Sequence, residues 1–383
     1  MLQKSDKMAW KLCKGRIKMK FNENLENLKV YEAGKPIELV VREFGIPSER
    51  VVKLASNENP NGTSPKVIEA VREFAEKMYL YPDDSYYELK DALSEKFSVE
   101  PKNIILGAGS DQVIEFATKA VLSEGDSVLM NKVTLAMYEL YSKMCGAKIH
   151  RTDGLLHDVS QFKTTYDKLK PKVVFICVPN NPLGECLTKN EVYEILSHID
   201  SDTLAVVDCA YMEYASYKNK DCLIEPQELI TKYPNALYLG TFSKAYGLGG
   251  MRVGYGIGDE NLTRALYKVR PPFNIANLSA KAALAALADQ DFVKNSIEQN
   301  FDEMKRYEQE AQKHGIKVID SYTNFITYFF DSGKSSKEIA DTLLKRGVIV
   351  RDLTSYELNG IRITIGNKTQ NDIFFEEFRK VYP

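Results

Sequence analysis

Short apolar runs that alternate with helical stretches constrain the fold of this chain more than any other feature of its sequence. The runs show no alternation with polar residues and occupy residues 127–130, 173–178, 204–207, 237–240 and 253–257. Helical patterns such as those of residues 112–122 and 189–198 lie between them. Continuous apolar strands are typical of a parallel sheet that helices cover on both faces. We therefore predict an α/β fold with a buried, mostly parallel sheet.

The last third of the chain indicates a second, smaller domain. After Pro271-Pro272 a helical pattern runs through residues 280–288 to His314-Gly315, which is long enough to connect two domains. It is followed by strand-like, helical and again strand-like segments, at residues 325–330, 336–345, 348–351 and 361–365, and by a last helix. With 383 residues the chain is too long for one small core. We predict an arm in residues 21–55 that joins the small domain, a large domain in 56–275, and a connector helix with the small α+β domain in 276–383.

The first twenty residues stand apart because seven lysines and arginines face a single acid, Asp6. They contain no apolar core of the kind found in secretory signals. A transit peptide is an alternative, but we expect residues 1–20 to be a disordered extension, with Met19 as the functional start.

Composition excludes several classes of protein. Lys+Arg 51 against Asp+Glu 53 gives no basic field, so we expect no nucleic-acid partner. Six cysteines without a CxxC spacing and four histidines predict no metal site, and the thiols are expected to be reduced in a cytoplasmic protein. No apolar run approaches the ~20 residues that span a bilayer, so no membrane association is expected.

The densest chemical signal is the segment around Ser243-Lys244, which follows an apolar strand and precedes Arg252. A lysine at such a place is a candidate for a Schiff base. The Ser243 hydroxyl and the Arg252 guanidinium are groups that bind a phosphate dianion. A surface lysine on a glycine-rich turn is the simpler interpretation of Ser-Lys alone, so the hypothesis depends on what accompanies it.

Further polar residues follow or precede other strands. Asp208 ends one apolar strand, where an acid can pair with a pyridinium nitrogen, although it can equally cap a helix. Asn181 lies in the turn after another strand, and Asn181 and Tyr211 can both bond a ring oxygen. The small residues before Ser110-Asp111 open a helix whose N–H groups suit a phosphate. That segment fails as a dinucleotide fingerprint, because glutamine stands where its last glycine belongs.

Taken together, these residues resemble the fold-type I pyridoxal-5′-phosphate (PLP) aminotransferases, from about Val30 to the C terminus. The resemblance implies an aspartate-aminotransferase-like fold with a seven-stranded, mostly parallel sheet in a large PLP-binding domain. It implies that Lys244 is the Schiff-base lysine and proton shuttle, that Asp208 pairs with the pyridinium, and that Asn181 and Tyr211 contact the ring hydroxyl. It also implies a phosphate cup and, since one of its residues comes from a second subunit, a homodimer with shared active sites. The cup residues are Ser110, Asp111, Ser243 and Arg252, with Tyr81 from the second subunit.

Within that family the chain is most similar to the histidinol-phosphate aminotransferases. The similarity is carried by residues 56–60 (Ser-Asn-Glu-Asn-Pro), 81–83 (Tyr-Pro-Asp), 109–111 (Gly-Ser-Asp) and 361–366 (Ile-Arg-Ile-Thr-Ile-Gly). It implies that Arg362 binds the substrate carboxylate, that Arg351 is a second substrate arginine, and that Asn324 and Tyr31 line the substrate end. The simpler interpretation of Arg351 is a solvent-facing charge after an edge strand.

The sequence also departs from the family pattern. Leu135 stands where the family usually has an aromatic residue that stacks on the cofactor ring, Cys209 replaces the usual Glu, and Leu183 replaces a common Thr. None of these changes removes a catalytic group.

The activity expected from the resemblance is exchange of an amino group between histidinol phosphate and 2-oxoglutarate/glutamate in histidine biosynthesis. Burial and neighbouring cations should lower the pKa of Lys244, so that its amine can move the α-proton. An aromatic amino acid aminotransferase, a threonine-phosphate decarboxylase of cobalamin synthesis and a PLP-binding regulatory protein are the alternatives.

Overall fold

A computed structural model describes residues 19–25, 28, 36–331 and 333–383 of the chain. Its strands, in chain order β1 to β13, are Val52–Lys53, Ile104–Gly107, Ser127–Met130, Lys148–Arg151, Val173–Cys177, Leu204–Asp208, Ala236–Thr241, Gly254–Gly258, Lys317–Val318, Phe325–Phe329, Val348–Ile349, Arg351–Asp352 and Gly360–Thr364.

The helices of the described residues, numbered here α1 to α14, are Ile37–Phe44, Pro65–Phe74, Tyr87–Phe97, Ser110–Val121, Ala136–Met144, Val159–Leu169, Lys189–His198, Met212–Lys218, Pro226–Lys232, Glu260–Tyr267, Asn277–Leu287, Gln290–Lys313, Ser336–Lys345 and Lys368–Val381. Seven short 3₁₀ turns lie between these elements, at Glu23–Leu25, Ser48–Arg50, Ala75–Lys77, Pro101–Asn103, Lys220–Cys222, Gly249–Met251 and Thr354–Tyr356.

The predicted central sheet is confirmed. It has seven strands in the order β2-β8-β7-β6-β5-β3-β4, and only β8 runs antiparallel to its neighbours. Alternate residues of β5 enter different cores: Val174 and Ile176 pack in one cluster, Val173 and Phe175 in the other. Both faces of the inner strands are therefore buried, which is why these strands carry no polar alternation, unlike the polar edge strand β4.

A second core lies in the C-terminal part of the chain. An antiparallel sheet of order β12-β13-β10-β9 packs with α13, α14 and the middle of α12. Val52 and Leu54 join this cluster, and β1 pairs in parallel with β11. These contacts support the predicted arm and small domain, while the division of the chain at residues 20, 55 and 275 stays a prediction. Of residues 1–20, only Met19 and Lys20 are among those described.

The prediction of one long connector helix is wrong. The helical stretch breaks into α11 and α12 around Asp289, which has φ −109° and ψ 68°. Its carboxylate accepts hydrogen bonds from Ser64 Oγ at 2.5 Å and Lys66 Nζ at 3.2 Å. These tertiary contacts hold a non-helical conformation that local helix propensity does not predict.

The single strand predicted over residues 348–351 is also wrong. Val348–Ile349 pairs with β1, whereas Arg351–Asp352 pairs with β13 in a different sheet. Val350 lies between the two, where the chain passes from one sheet to the other. None of the helices described is long and apolar enough to cross a membrane.

Candidate active site

The sequence-predicted polar residues meet at one edge of the central sheet. Strand β6 ends at Asp208, β7 is followed by Ser243-Lys244, and the turn after β5 carries Asn181. These strands run parallel, so their carboxyl ends lie side by side. Strand β2 has the same direction, since β8 is antiparallel to both β2 and β7. The start of α4 at Ser110 therefore lies at this edge as well.

Lys244 is partly buried in the middle of this group. Its Nζ lies 5.6 Å from the centre of the Tyr211 ring and donates to the Ser56 carbonyl at 3.5 Å. Burial, and then the nearby guanidinium groups of Arg362 and Arg252, lower the pKa of Lys244 to about 8. This is the shift expected from the sequence, and it raises the share of the amine that is neutral near physiological pH far above that of an ordinary lysine.

Asp208 is buried, and its carboxylate accepts hydrogen bonds from a hydroxyl and a backbone N–H. Its Oδ2 accepts from the Tyr138 hydroxyl at 2.7 Å and its Oδ1 from the Ala210 N–H at 3.1 Å. Burial raises the pKa of this carboxyl, while the Tyr138 hydrogen bond opposes that shift. No ion pair to Asp208 is found among the described residues, so a cation placed beside it would relieve the cost of burying its charge.

Tyr138 is a site residue that sequence reasoning missed. It is fully buried on α5, where its ring stacks on Phe175 at 4.6 Å between centroids. Leu135 is half-buried at the start of the same helix. Its spacing in the sequence could have indicated it, because Tyr138 lies one helical turn after Leu135, where the family usually has an aromatic residue.

The candidate phosphate cup forms where the loop between β2 and α4 lies close to Arg252 and Gly254. Arg252, at φ +54°, directs Nη1 to Ser243 Oγ at 3.5 Å and Nη2 to the Ala108 carbonyl at 3.3 Å. A Cβ on Gly109 would come 2.6 Å from Arg252 Nη2, and one on Gly254 would come 2.1 Å from the Ser110 nitrogen. Gly254 leaves no room for a Cβ beside the backbone of Ser110, and Gly109 has a φ of +82°, a conformation that favours glycine. The first turn of α4, whose N–H groups have no partner within the helix, begins directly after Gly109.

Asp111, the second residue of α4, uses its side chain inside the protein. Its Oδ2 accepts from the Tyr141 hydroxyl at 2.9 Å. Burial raises the pKa of this carboxyl. In the chain as described, Asp111 is therefore tied to α5 and brings it against the start of α4.

The candidate substrate end is a hydrogen-bonded cluster around Arg362. Its Nη1 donates to Asn181 Oδ1 at 2.6 Å and its Nη2 to the Ala55 carbonyl at 2.7 Å. Asn57 Nδ2 donates to the Tyr211 hydroxyl at 2.8 Å, and Asn324 Nδ2 donates to the Asn57 carbonyl at 2.9 Å. Burial raises the pKa of Tyr211. Asn57 lies in the Ser-Asn-Glu-Asn-Pro segment of residues 56–60, but sequence reasoning assigned it no such role.

The other predicted site residues are Arg351, Tyr81 and Tyr31. Arg351 on edge strand β12 is paired in register with Arg362, which places it beside the cluster. Tyr81 is 81% exposed and its ring contacts that of Phe273, at 5.0 Å between centroids, so within one chain it points to solvent. Tyr31 lies outside the described residues.

Comparison with known proteins agrees with this geometry. The family model of the class I and II aminotransferases matches residues 49–378. A histidinol-phosphate aminotransferase of Sulfurovum sp. (strain NBC37-1) is 57% identical over 95% of this chain and 100% of its own length. One from Campylobacter jejuni subsp. jejuni serotype O:6 is 54% identical over the same shares. The chain belongs to the histidinol-phosphate aminotransferase family.

Solved structures of this family share the fold. Histidinol-phosphate aminotransferase from Sinorhizobium meliloti, determined in complex with PLP, has a TM-score of 0.87 at 25% identity and covers 96% of this chain and 99% of its own. A variant of Thermus thermophilus aspartate aminotransferase has a TM-score of 0.81 at 21% identity, over 95% of this chain and 100% of its own, which shows the fold alone. The aspartate-aminotransferase-like fold implied by the sequence is thus confirmed.

The cluster also fits PLP, the cofactor held by the Sinorhizobium meliloti enzyme. A lysine with a lowered pKa, a buried carboxylate without an ion pair among the described residues, and a glycine-walled cup with an arginine would suit its aldehyde, ring nitrogen and phosphate. The arrangement can capture an aldehyde, hold a protonated ring and bind a dianion.

Proposed function

We propose that this chain exchanges an amino group between histidinol phosphate and the 2-oxoglutarate/glutamate pair, as in histidine biosynthesis. The observation that carries the proposal is 57% identity to a histidinol-phosphate aminotransferase over that enzyme's whole length, with Lys244, Asp208 and Arg252 together at one sheet edge. The five cysteines of the described residues are free, which supports a cytoplasmic location.

Each residue of the candidate site would have a separate role in this reaction. Bound PLP would supply an aldehyde that condenses with amines and a ring that withdraws electrons from the substrate's α-carbon. Lys244 would hold the cofactor covalently and, once released, move the proton at the α-carbon with its neutral amine. Asp208 would hold the proton at the pyridine nitrogen. Asn181 and Tyr211 would bond the ring hydroxyl, and the cup around Ser110, Ser243 and Arg252 would bind the phosphate.

Half-reactions with single amines test the proposal. Holoenzyme is mixed separately with histidinol phosphate, glutamate, phenylalanine or phosphothreonine, and absorbance reports conversion of the cofactor from its aldehyde to its amine form. We expect fast conversion by histidinol phosphate and glutamate. Preference for phenylalanine would indicate an aromatic aminotransferase. Release of CO₂ from phosphothreonine would indicate a decarboxylase, and binding without any conversion would indicate a regulatory protein.

Capture of PLP by the cofactor-free protein should depend on pH through Lys244. Only the neutral amine attacks an aldehyde, so the rate should rise with pH and level off above the Lys244 pKa of about 8. An ordinary lysine, with a pKa of about 10.4, would give a rate that is still rising at pH 10. Stopped-flow absorbance from pH 6.5 to 10 measures the midpoint. A midpoint near 10 in wild-type protein would contradict the lowered pKa.

Substitution of the two substrate arginines should separate the two substrates. Glutamate offers a carboxylate that Arg362 can bind through two N–H groups, whereas histidinol phosphate has no carboxylate. We expect Arg362→Lys to lower kcat/KM for glutamate about ten- to a hundredfold and to affect histidinol phosphate much less. Arg351→Ala should instead raise KM for the phosphorylated substrate.

The exposed pair Arg264–Glu260 provides the matched control, since Arg264→Lys changes an arginine far from the cluster. Equal losses for both substrates in Arg362→Lys would show that this residue supports the fold rather than the carboxylate.

We also propose that the active unit is a homodimer with shared sites. Tyr81 contacts Phe273, and both are exposed apolar side chains that a second copy would cover. Met78, Tyr79, Leu80 and Tyr87, close to Tyr81 in the chain, are exposed as well. Tyr81 would then complete the phosphate cup of the partner.

A further inference from the structure

A continuous series of hydrogen bonds joins the Tyr81 segment to the phosphate cup of the same chain. It starts at Asp84, three residues after Tyr81, and ends at the Ala108 N–H, next to Gly109. Its middle members are Arg270, Asn274 and Gln112. Sequence reasoning assigned a functional role to none of these three, and none has a part in the chemistry proposed above.

Arg270 is the branch point of the series. Its guanidinium makes two parallel bonds to Asp84, Nη1 to Oδ1 at 2.9 Å and Nη2 to Oδ2 at 2.7 Å. Its side chain is 8% exposed, and the ion pair holds the pKa of Asp84 below its usual value. The Phe273 N–H also donates to Asp84 Oδ1 at 2.7 Å. Since the Tyr81 ring rests on Phe273, this carboxylate and its arginine fix the platform that supports Tyr81.

The other branch leads to the cup. Arg270 Nη1 donates to Asn274 Oδ1 at 2.9 Å, and Asn274 Nδ2 donates to the Leu106 carbonyl at 3.1 Å and to Gln112 Oε1 at 2.8 Å. That same Gln112 oxygen accepts from the Ala108 N–H at 2.8 Å. The loop between β2 and α4 is thus held from both ends. Its Ala108 carbonyl is in turn the acceptor for Arg252 Nη2.

We propose that Arg270 is a positioning residue that orders two phosphate cups at once: its own, through Asn274 and Gln112, and the partner's, through Asp84 and the platform under Tyr81. The inference rests on the proposed shared-site dimer. It predicts that one side chain, remote from the chemistry, links cofactor binding in the two halves of the dimer.

Lysine is the informative substitution, because it keeps the charge beside Asp84 but cannot form the planar two-point fork and also reach Asn274. In Arg270→Lys we expect PLP to bind about tenfold more weakly, as when a charge-assisted hydrogen bond is lost, with little change in binding of pyridoxal. Pyridoxal lacks the phosphate, so equal weakening of both ligands would mean general damage and would overturn the proposal. Arg264→Lys, on an exposed pair, should change neither affinity.

Hybrid dimers separate the two branches. Borohydride fixes PLP only at a site that has Lys244, so each hybrid with one Lys244→Ala subunit reports a single site. Pairing an Arg270→Lys subunit with a Lys244→Ala subunit tests the cup of the altered chain. Pairing a wild-type subunit with an Arg270→Lys/Lys244→Ala subunit tests the platform under the Tyr81 that is donated to the wild-type site.

We expect both hybrids to need several-fold more PLP for half-maximal fixation than the wild-type/Lys244→Ala hybrid. An effect in one hybrid alone, or in neither, overturns the linkage. A third hybrid, wild-type with Tyr81→Phe/Lys244→Ala, tests the shared site itself: weaker fixation supports it, whereas an unchanged value refutes it and with it the partner branch. These readouts measure cofactor binding, so an error in the proposed amine substrate would leave them unchanged.

Discussion

The Lys244→Ala variant is expected to lose amino transfer by roughly 10⁴-fold, because one side chain supplies both the covalent anchor and the mobile proton carrier. The structure puts its amine at the centre of the site, 5.6 Å from the Tyr211 ring, with a pKa lowered to about 8 by burial and by Arg362 and Arg252. PLP should still bind through the cup, since no phosphate contact is removed.

Single-turnover absorbance with histidinol phosphate measures this loss, and borohydride reduction with peptide mapping locates the anchor in wild-type protein. Lys132→Ala is a suitable control, since Lys132 is exposed and its Nζ donates to the Asp153 carbonyl. A small primary amine such as methylamine should restore part of the proton transfer in Lys244→Ala. Wild-type rates in that variant, or label on another lysine, would refute the assignment of Lys244.

The central sheet could be predicted because its physical cause is local in the sequence. Each inner strand is buried on both faces, as the split of Val173 and Val174 between two cores shows, so each appears as an unbroken apolar run. Asp208 and Lys244 were noticed because each lies at or just after the end of such a run, and the family resemblance then supplied their roles. Helix α7 has the ends that its helical pattern predicted, and in the structure a capping box of Thr188 and Glu191 marks its start.

Other features depend on contacts between distant residues. The break at Asp289 depends on Ser64 and Lys66, which lie more than 200 residues earlier in the chain. The change of sheet at Val350 depends on two different partner strands.

Two residues of the site could not be predicted for the same reason, since their partners are distant in the sequence. Tyr138 and Asn57 act through Asp208 and Tyr211, residues that only the folded chain brings to them. Tyr81 stays outside the site of a single chain, as a residue that serves a partner would, so its role remains a prediction.

The second large effect is expected at Asp208. Replacement by Asn preserves shape but removes the charge that would hold a proton at the ring nitrogen, so the half-reaction should slow by roughly 10²–10⁴-fold. Tyr138→Phe should have a smaller effect, about tenfold, through loss of one hydrogen bond to the carboxylate. If Tyr138 acts only through Asp208, adding Tyr138→Phe to Asp208→Asn should cost little more, so the two losses will not multiply.

The pH profile distinguishes this positioning role from simple support of the fold. The Tyr138 hydroxyl opposes the rise in the Asp208 pKa that burial causes, so its removal should raise that pKa further. A carboxylate with a higher pKa is neutralised sooner as pH falls, and the acid limb of kcat should therefore move to higher pH in Tyr138→Phe. The limb should vanish in Asp208→Asn, which has no carboxylate to titrate. Thermal unfolding provides the control, because a variant that merely destabilises the protein lowers Tm and leaves the limb in place. An unshifted limb in Tyr138→Phe would mean that the 2.7 Å contact does not tune the carboxylate.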